Sequence, residues 1–131
     1  MTQSDTIFKG SIKENLLAGN RRTDITGEEI NMVLKTVCAD EWVSRKEGLL
    51  DHRLSEGGMS LSGGQRQMLG IAGALLLKKR LIFLDEAFAG IDEEKISEIM
   101  RNLRAVKDSD MIIVIHDKRV MDMCEAVIRL S

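Results

Sequence analysis

The chain has 131 residues, of which 44% are hydrophobic and 31% charged, with a formal net charge of −2. That length suits one domain with a modest core, and the composition excludes a disordered chain. The charge leaves no basic footprint for nucleic acid, and aromatics at 3% make the core aliphatic.

No stretch approaches the roughly 18 uninterrupted apolar residues of a membrane-spanning helix. The first residues lack the basic-then-apolar pattern of a signal peptide. Cys38 and Cys124 have neither metal-ligand spacing nor the density of a disulfide framework. Both sit among apolar neighbours and read as packing residues of a reducing compartment.

Up to about residue 58 the sequence predicts helices and loops. Ser11 with Glu14 forms a capping box ahead of Ile12, Leu16 and Leu17. Thr26 with Glu29 forms another, and Ile30, Val33, Leu34, Val37 and Cys38 then mark one helical face. A short helix around Asp40 to Lys46 carries Trp42, the only tryptophan, read as a packing residue. The stretch GLLDHRLSEGGMS, with three glycines, reads as a loop, and His52 within it carries no functional reading.

The second region alternates. A helix over 63–78 precedes the short apolar run Leu81-Ile82-Phe83-Leu84, which suits a buried parallel strand. Asp92 caps a further helix, with Glu93 and Glu94 at its positive end and Ile96, Ile99, Met100 and Leu103 along one face. Met111 to Ile115 is a second apolar strand, followed by a helix near 118–125 and a strand-like piece, Ala126 to Leu130. Strand, helix, strand, helix, strand implies an α/β fold with a parallel sheet and right-handed crossovers.

Ligands of open parallel sheets bind beyond the carboxyl ends of the strands. The first strand runs into Asp85 and Glu86, the second into His116 and Asp117. Adjacent carboxylates suit a divalent cation and an activated water, and a histidine can donate to a phosphate oxygen. Alone, such pairs more often belong to solvated turns or helix caps.

The stretch MSLSGGQRQ adds what these lack. Ser62 stands as an N-cap, with Gln65 three residues on completing a box, which by itself means only a helix start. Gly63 and Gly64 argue for more. Glycine in the first turn costs on the order of 1 kcal/mol relative to alanine, yet it leaves bare N–H groups that an anion can approach at the positive end of a helix.

In order along the chain, LSGGQ at 61–65, LIFLDE at 81–86, AGID at 89–92 and a strand ending in His116 resemble four motifs of ATP-binding cassette (ABC) ATPases: the signature, Walker B, the D-loop and the switch histidine. Upstream, TQSDTIFKGSIKENL resembles the Q-loop segment of exporter-type cassettes, with Gln3 as its glutamine, and Glu56-Gly57-Gly58 resembles the exporter loop before the signature. The resemblance spans essentially the whole chain. It implies a partial P-loop NTPase-like parallel sheet with an α-helical signature subdomain. The Q-loop, helical subdomain and signature helix would occupy about 1–80, and the part of the catalytic sheet from Walker B to the switch histidine about 81–131.

The same resemblance implies ATP and Mg²⁺ as cofactors. Asp85 would order the Mg²⁺ shell, Glu86 would be the catalytic base, and His116 would contact the γ-phosphate. Gln3 would sense the metal and the attacking water while linking to a transmembrane partner. Asp92 would lie against a second nucleotide-binding domain in a head-to-tail dimer. Ser62, Gly63, Gly64 and Gln65 would cap the γ-phosphate of ATP held by that second domain. The implied setting is the cytoplasmic face of a membrane, attached through the transmembrane domain of a transporter.

The sequence departs from the family pattern in places. No Gly-x-x-x-x-Gly-Lys-[Ser/Thr] motif occurs, nor the adenine-stacking aromatic that the family places before the Q-loop. The chain therefore reads as the carboxyl-side half of a cassette, expected to hydrolyse no ATP alone and to be either part of a longer protein or self-associating. A short binding module that pairs with an intact cassette is the alternative. A cassette of DNA repair or translation fits less well with the exporter-like IFKGSIKEN. Met68 and Gly73 stand where the family commonly has arginines, and Ala87-Phe88-Ala89-Gly90 replaces the exporters' usual Ala-Thr-Ser-Ala. Gly70 and Gly73 should weaken the signature helix unless close packing needs them.

Overall fold

A computed structural model describes residues 7–85, 88, 90–106 and 110–114. The chain enters through strand β1 (Gly10–Ser11) and helix α1 (Ile12–Leu17), followed by α2 (Gly27–Thr36) and α3 (Asp40–Ser44). A 3-10 turn at Leu49–Asp51, strand β2 (Arg53–Leu54) and a second 3-10 turn at Glu56–Gly58 lead to α4 (Gly63–Leu76). Strand β3 (Leu81–Asp85), helix α5 (Glu93–Arg104) and strand β4 (Asp110–Val114) complete the described elements.

Both predicted capping boxes that open on serine form in full. Ser11 Oγ accepts from the Glu14 amide at 3.0 Å, and the Glu14 carboxylate accepts from the Ser11 amide at 3.0 Å. Thr26 caps α2 only from one side, because its Oγ1 accepts from the Glu29 amide while the Glu29 carboxylate is engaged by Arg22. The apolar face of α2 is buried as its spacing predicts, through Ile30 and Leu34, with Val37 and Cys38 continuing beyond the helix end.

Region 7–58 also holds a small antiparallel pair that its loop-like sequence does not reveal. β1 pairs with β2, Gly10 opposite Leu54 and Ser11 opposite Arg53, and the Ile12 amide donates to His52 O at 3.0 Å. Two-residue strands are too short to show alternation, so periodicity is silent on them. The parallel pair agrees closely with expectation: Leu81 lies opposite Asp110 and Asp85 opposite Val114, with α5 as the crossover. The predicted helix near 118–125, the strand-like piece after it and Cys124 lie outside the described residues.

Helix α4 is the spine. Leu69, Ile71, Ala72, Ala74, Leu75 and Leu76 are all buried, and α1, α2 and β3 pack around it. Truncating a side chain such as Ile71 or Leu76, both 0% exposed, costs about 2–5 kcal/mol. Gly73 has its packing reason: a Cβ there would lie 3.3 Å from Leu16 O, so α1 lies against the bare backbone. Met68 is buried and accepts a hydrogen bond from Trp42 Nε1 at 3.4 Å, which fixes Trp42 as a packing residue on α4.

Two side chains tie helix ends together. Asn102 on α5 donates to Thr36 O at 3.1 Å, satisfying a terminal carbonyl of α2. Arg22 donates from Nη1 to Leu76 O at 2.8 Å, capping the negative end of α4. Its guanidinium also grips both carboxylate oxygens of Glu29 in the first turn of α2, through Nη2 at 2.8 Å and through Nη1. The Arg22 hydrogen bond holds the Glu29 carboxyl below its ordinary value of 4.5. Since the folded value lies below the unfolded one, this contribution is complete above pH 4.5 and is lost as pH falls below it. Urea unfolding should therefore give a lower midpoint at pH 3 than at pH 7, and Glu29→Gln should lower the pH 7 midpoint while flattening that acid slope.

Candidate functional site

The start of α4 is built as the sequence predicts. Ser62 is extended, at φ −68° and ψ 161°, and its Oγ accepts from the Gln65 amide at 3.1 Å. Gln65 Oε1 in turn accepts from the Ser62 amide at 3.0 Å. With the Gln65 amide held by Ser62 and the Arg66 amide bonded to Ser62 O, the amides of Gly63 and Gly64 are left without intrahelical acceptors.

The two glycines then part company. Gly63 is exposed, and a Cβ on it would meet only Arg66 Nη2, at an ordinary 3.7 Å. Gly64 is buried, and a Cβ on it would lie 2.7 Å from the carbonyl oxygen of Gly90, closer than real Cβ atoms come. Gly90 itself has φ +103°, a conformation that L side chains rarely adopt, and a Cβ on it would press on Gly64 N at 3.4 Å. Gly64 is therefore glycine because the turn ahead of α5 lies on it, whereas nothing among the described residues demands glycine at 63.

That turn carries Asp92. Ile91 donates to Phe88 O at 3.1 Å, and Asp92 then caps α5, its Oδ1 accepting from the Lys95 amide at 2.9 Å. The Ser62 cap and the Asp92 cap, 30 residues apart in sequence (92 minus 62), thus stand side by side across the Gly64–Gly90 contact.

Both caps face one open cleft of about 410 Å³. Ser62, Gly64, Gln65, Gly90 and Asp92 line it, together with Trp42, Arg45 and Lys95. Arg45 is paired with Glu41 at 2.6 Å, one helical turn away. Cys38 also lines the cleft, but burial pushes its thiol up to about 11, with the Glu98 carboxylate adding to the effect. It stays protonated at neutral pH and serves as packing, as its apolar surroundings suggest.

Asp85 ends β3 beside Val114, the last residue of β4, so the carboxyl ends of the two strands are adjacent. Gln3, Glu86, His116 and Asp117 lie outside the described residues. Of the nine predicted site residues, then, the structure brings together Ser62, Gly63, Gly64, Gln65 and Asp92, and places Asp85 at a strand end. Sequence reasoning gave no role to Gly90, Arg66 or Lys95. Gly90 had a signal, since a glycine two residues before an N-cap at the foot of a strand often marks a close backbone approach.

A family model described as ABC transporter matches residues 1–89. The chain belongs to the ABC transporter family. Lactococcin-G-processing and transport ATP-binding protein LagD of Lactococcus lactis subsp. lactis is 33% identical over 130 residues, covering 98% of this chain and 18% of its own length. Cyclolysin secretion/processing ATP-binding protein CyaB of Bordetella pertussis is 34% identical over 113 residues, 86% of this chain and 16% of its own. The chain thus spans less than a fifth of the length of these curated relatives. A solved bacterial Atm1-family ABC exporter with ATP bound superposes with a TM-score of 0.82 at 25% identity, covering 92% of this chain and 21% of that one. The α/β fold accordingly matches part of that exporter chain. No helix among the described residues is long and apolar enough to cross a membrane.

The different standing of the two glycines is measurable in the ABC chain without any ligand. Gly64→Ala should lower stability by about 1–3 kcal/mol, as overpacking does, while Gly63→Ala should stay within about 1 kcal/mol of the parent. Thermal unfolding of both variants checks this, and equal midpoints would remove the constraint assigned to Gly90.

Proposed function

We propose that this chain supplies the signature-side surface of an ATP site in an exporter-type ABC transporter, with the nucleotide held by a second nucleotide-binding domain. The observation that carries the reading is the exposed Ser62–Gly63 cap at the positive end of the 14-residue helix α4, beside the Asp92 turn. A γ-phosphate fits such a cap: Gly63 presents a bare, open amide, Ser62 presents a hydroxyl, and neither brings bulk. Family membership and the transport and secretion named for the relatives support this reading.

In this reading Ser62, Gly63, Gly64 and Gln65 orient the terminal phosphate. Asp92 sets the turn that meets the opposing domain in a head-to-tail dimer. Asp85 and Gln3 are the residues that would hold Mg²⁺, whose chemistry is to neutralise phosphate charge and order the attacking water. Glu86 takes the proton from that water and His116 donates to the γ-phosphate. The Q-loop, helical subdomain and signature helix would occupy about 1–80, and the part of the catalytic sheet from Walker B to the switch histidine about 81–131. A transmembrane partner places the assembly at the cytoplasmic face of a membrane.

The sequence holds no P-loop motif, so hydrolysis requires β- and γ-phosphate contacts from elsewhere. That absence also favours a second reading, in which the chain is a binding module that pairs with an intact cassette and performs no chemistry itself. Both readings give no MgATP turnover by the chain alone. Sedimentation with a P-loop-bearing exporter ATP-binding domain should show association that needs MgATP and is lost with Gly63→Leu. If Glu86→Gln in the chain lowers turnover of the mixture at least tenfold, the catalytic reading holds; if turnover is unchanged, the binding-module reading does. Turnover by the chain alone, abolished by Glu86→Gln, would end both.

A further inference from the structure

The segment from Gly58 to Ser62 delivers the chain into α4; Gly58 and Leu61 are buried, Leu61 in the core, while the residues between them and the cap itself lie at the surface. Met59 is 85% exposed, and Ser60 and Ser62 are exposed too. Its backbone supplies one turn bond of its own, from the Leu61 amide to Gly58 O at 2.9 Å. The Leu61 side chain anchors this lead in the core, and the orientation of the peptide between it and the exposed cap is a separate matter of hydrogen bonding.

The peptide unit joining Leu61 to Ser62 is held at both ends. Its N–H, belonging to Ser62, donates to Gln65 Oε1 at 3.0 Å. Its oxygen, belonging to Leu61, accepts from Arg66 Nη1 at 2.9 Å. Two consecutive side chains in the first turn of α4 therefore grip opposite edges of the plane that precedes the cap. The Arg66 Nη1 atom also reaches Gly58 O at 3.3 Å, so the guanidinium spans the whole lead-in.

The stem of Arg66 is fixed as well. A Cβ on Gly58 would lie 3.1 Å from Arg66 Cδ and 2.9 Å from Ile7 Cγ1, so Arg66 and Ile7 close over a bare backbone there. Gly57 donates to Ile7 O at 2.7 Å, which anchors the turn to the chain's first described residue. The side chain thus has a packed stem and one guanidinium nitrogen, Nη1, that meets two carbonyls.

From this geometry we infer that Arg66 is a positioning residue of the signature loop: it acts through the Leu61–Ser62 peptide and sets the direction in which Ser62 and Gly63 face the anion. The inference rests on the phosphate reading of the preceding subsection. It assigns to Arg66 no contact with the nucleotide.

Two measurements on the full chain test it. In amide hydrogen exchange without nucleotide, Arg66→Met keeps the stem but removes the donors, and exchange at Leu61 and Ser62 should quicken roughly tenfold, the scale of one charged hydrogen bond. Exchange in the middle of α4, at Ile71 and Ala72, should stay within twofold. Arg66→Lys should recover part of the protection. In sedimentation with a P-loop-bearing exporter ATP-binding domain, Arg66→Met should raise the MgATP concentration needed for association at least tenfold, again with partial recovery by Arg66→Lys.

Unchanged exchange at Leu61 and Ser62 overturns the inference. So does quickened exchange with unchanged MgATP dependence, because the loop's direction would then not matter to the ligand. If the parent chain itself shows no MgATP-dependent association, the phosphate reading fails and the functional role of Arg66 fails with it. The exchange data would still report whether Arg66 holds the loop, which separates the two failures.

Discussion

Where Gly64 meets Gly90, two backbones touch with no side chain between them, and much of the molecule's arrangement follows from that contact. One backbone belongs to the first turn of the buried helix α4, the other to the turn that leaves β3 for α5. A methyl group at residue 64 would force the second turn off the first. Because interiors are packed to the density of organic crystals, such a displacement is not absorbed locally. It would propagate into the Asp92 cap and so into the axis of α5. The contact makes the two caps a single geometric object, although they come from different regions of the sequence.

Helix α4 gives that object its fixed frame. Its buried face runs from Gly64 to Leu76, its negative end is capped by Arg22, and α1, α2 and β3 close around it. Helix α5 is tied to the same frame at both ends, by the Gly64–Gly90 contact near its start and by Asn102 on the carbonyls of α2 near its finish. The cleft between these elements is bounded by α3, α4 and the start of α5 together with the Gly90–Asp92 turn. In the lead from Gly58 to Ser62, side-chain hydrogen bonds add to the core contact of Leu61.

How much of this was readable beforehand follows from the range of each signal. Capping boxes and apolar stripes are local, acting over three to eight residues, and α2, α4 and α5 appear where Thr26, Ser62 and Asp92 placed their starts. The strands Leu81–Asp85 and Asp110–Val114 were legible because buried parallel strands are written as continuous apolar runs. The pair β1–β2 was not, since two residues cannot show a period and its hydrogen bonds join positions some 43 apart, from Ser11 to Arg53 or Gly10 to Leu54. The glycine pair shows the same limit at a site. Its composition announced an anion cradle, but the sequence could not separate Gly63, which faces open space, from Gly64, which faces another backbone. That distinction lives in tertiary packing, and the Arg66 hydrogen bonds to Gly58 and Leu61 are likewise invisible to periodicity.

The electrostatics of the cleft explain why direction matters so much there. Arg45 is neutralised by Glu41, and the cations and carboxylates among the lining residues stand two against two: Arg45 and Lys95 with Glu41 and Asp92. The lining charges thus balance, while the Arg66 guanidinium stands beside Gly63, its Nη2 3.7 Å from the place of a Gly63 Cβ. Beside that one cation acts the field of the α4 terminus and its first-turn amides, which falls off within the first turn and depends on the angle of each N–H. A net positive patch would tolerate a sloppy loop, because Coulomb attraction between charges has no preferred direction. A site that works through dipoles does not, so the proposed phosphate contact and the clamp on the Leu61–Ser62 peptide are two aspects of one requirement. Glycine at 63 leaves room for the approach, and Gln65 and Arg66 hold the Leu61–Ser62 peptide plane, the one before the plane that carries the Gly63 amide.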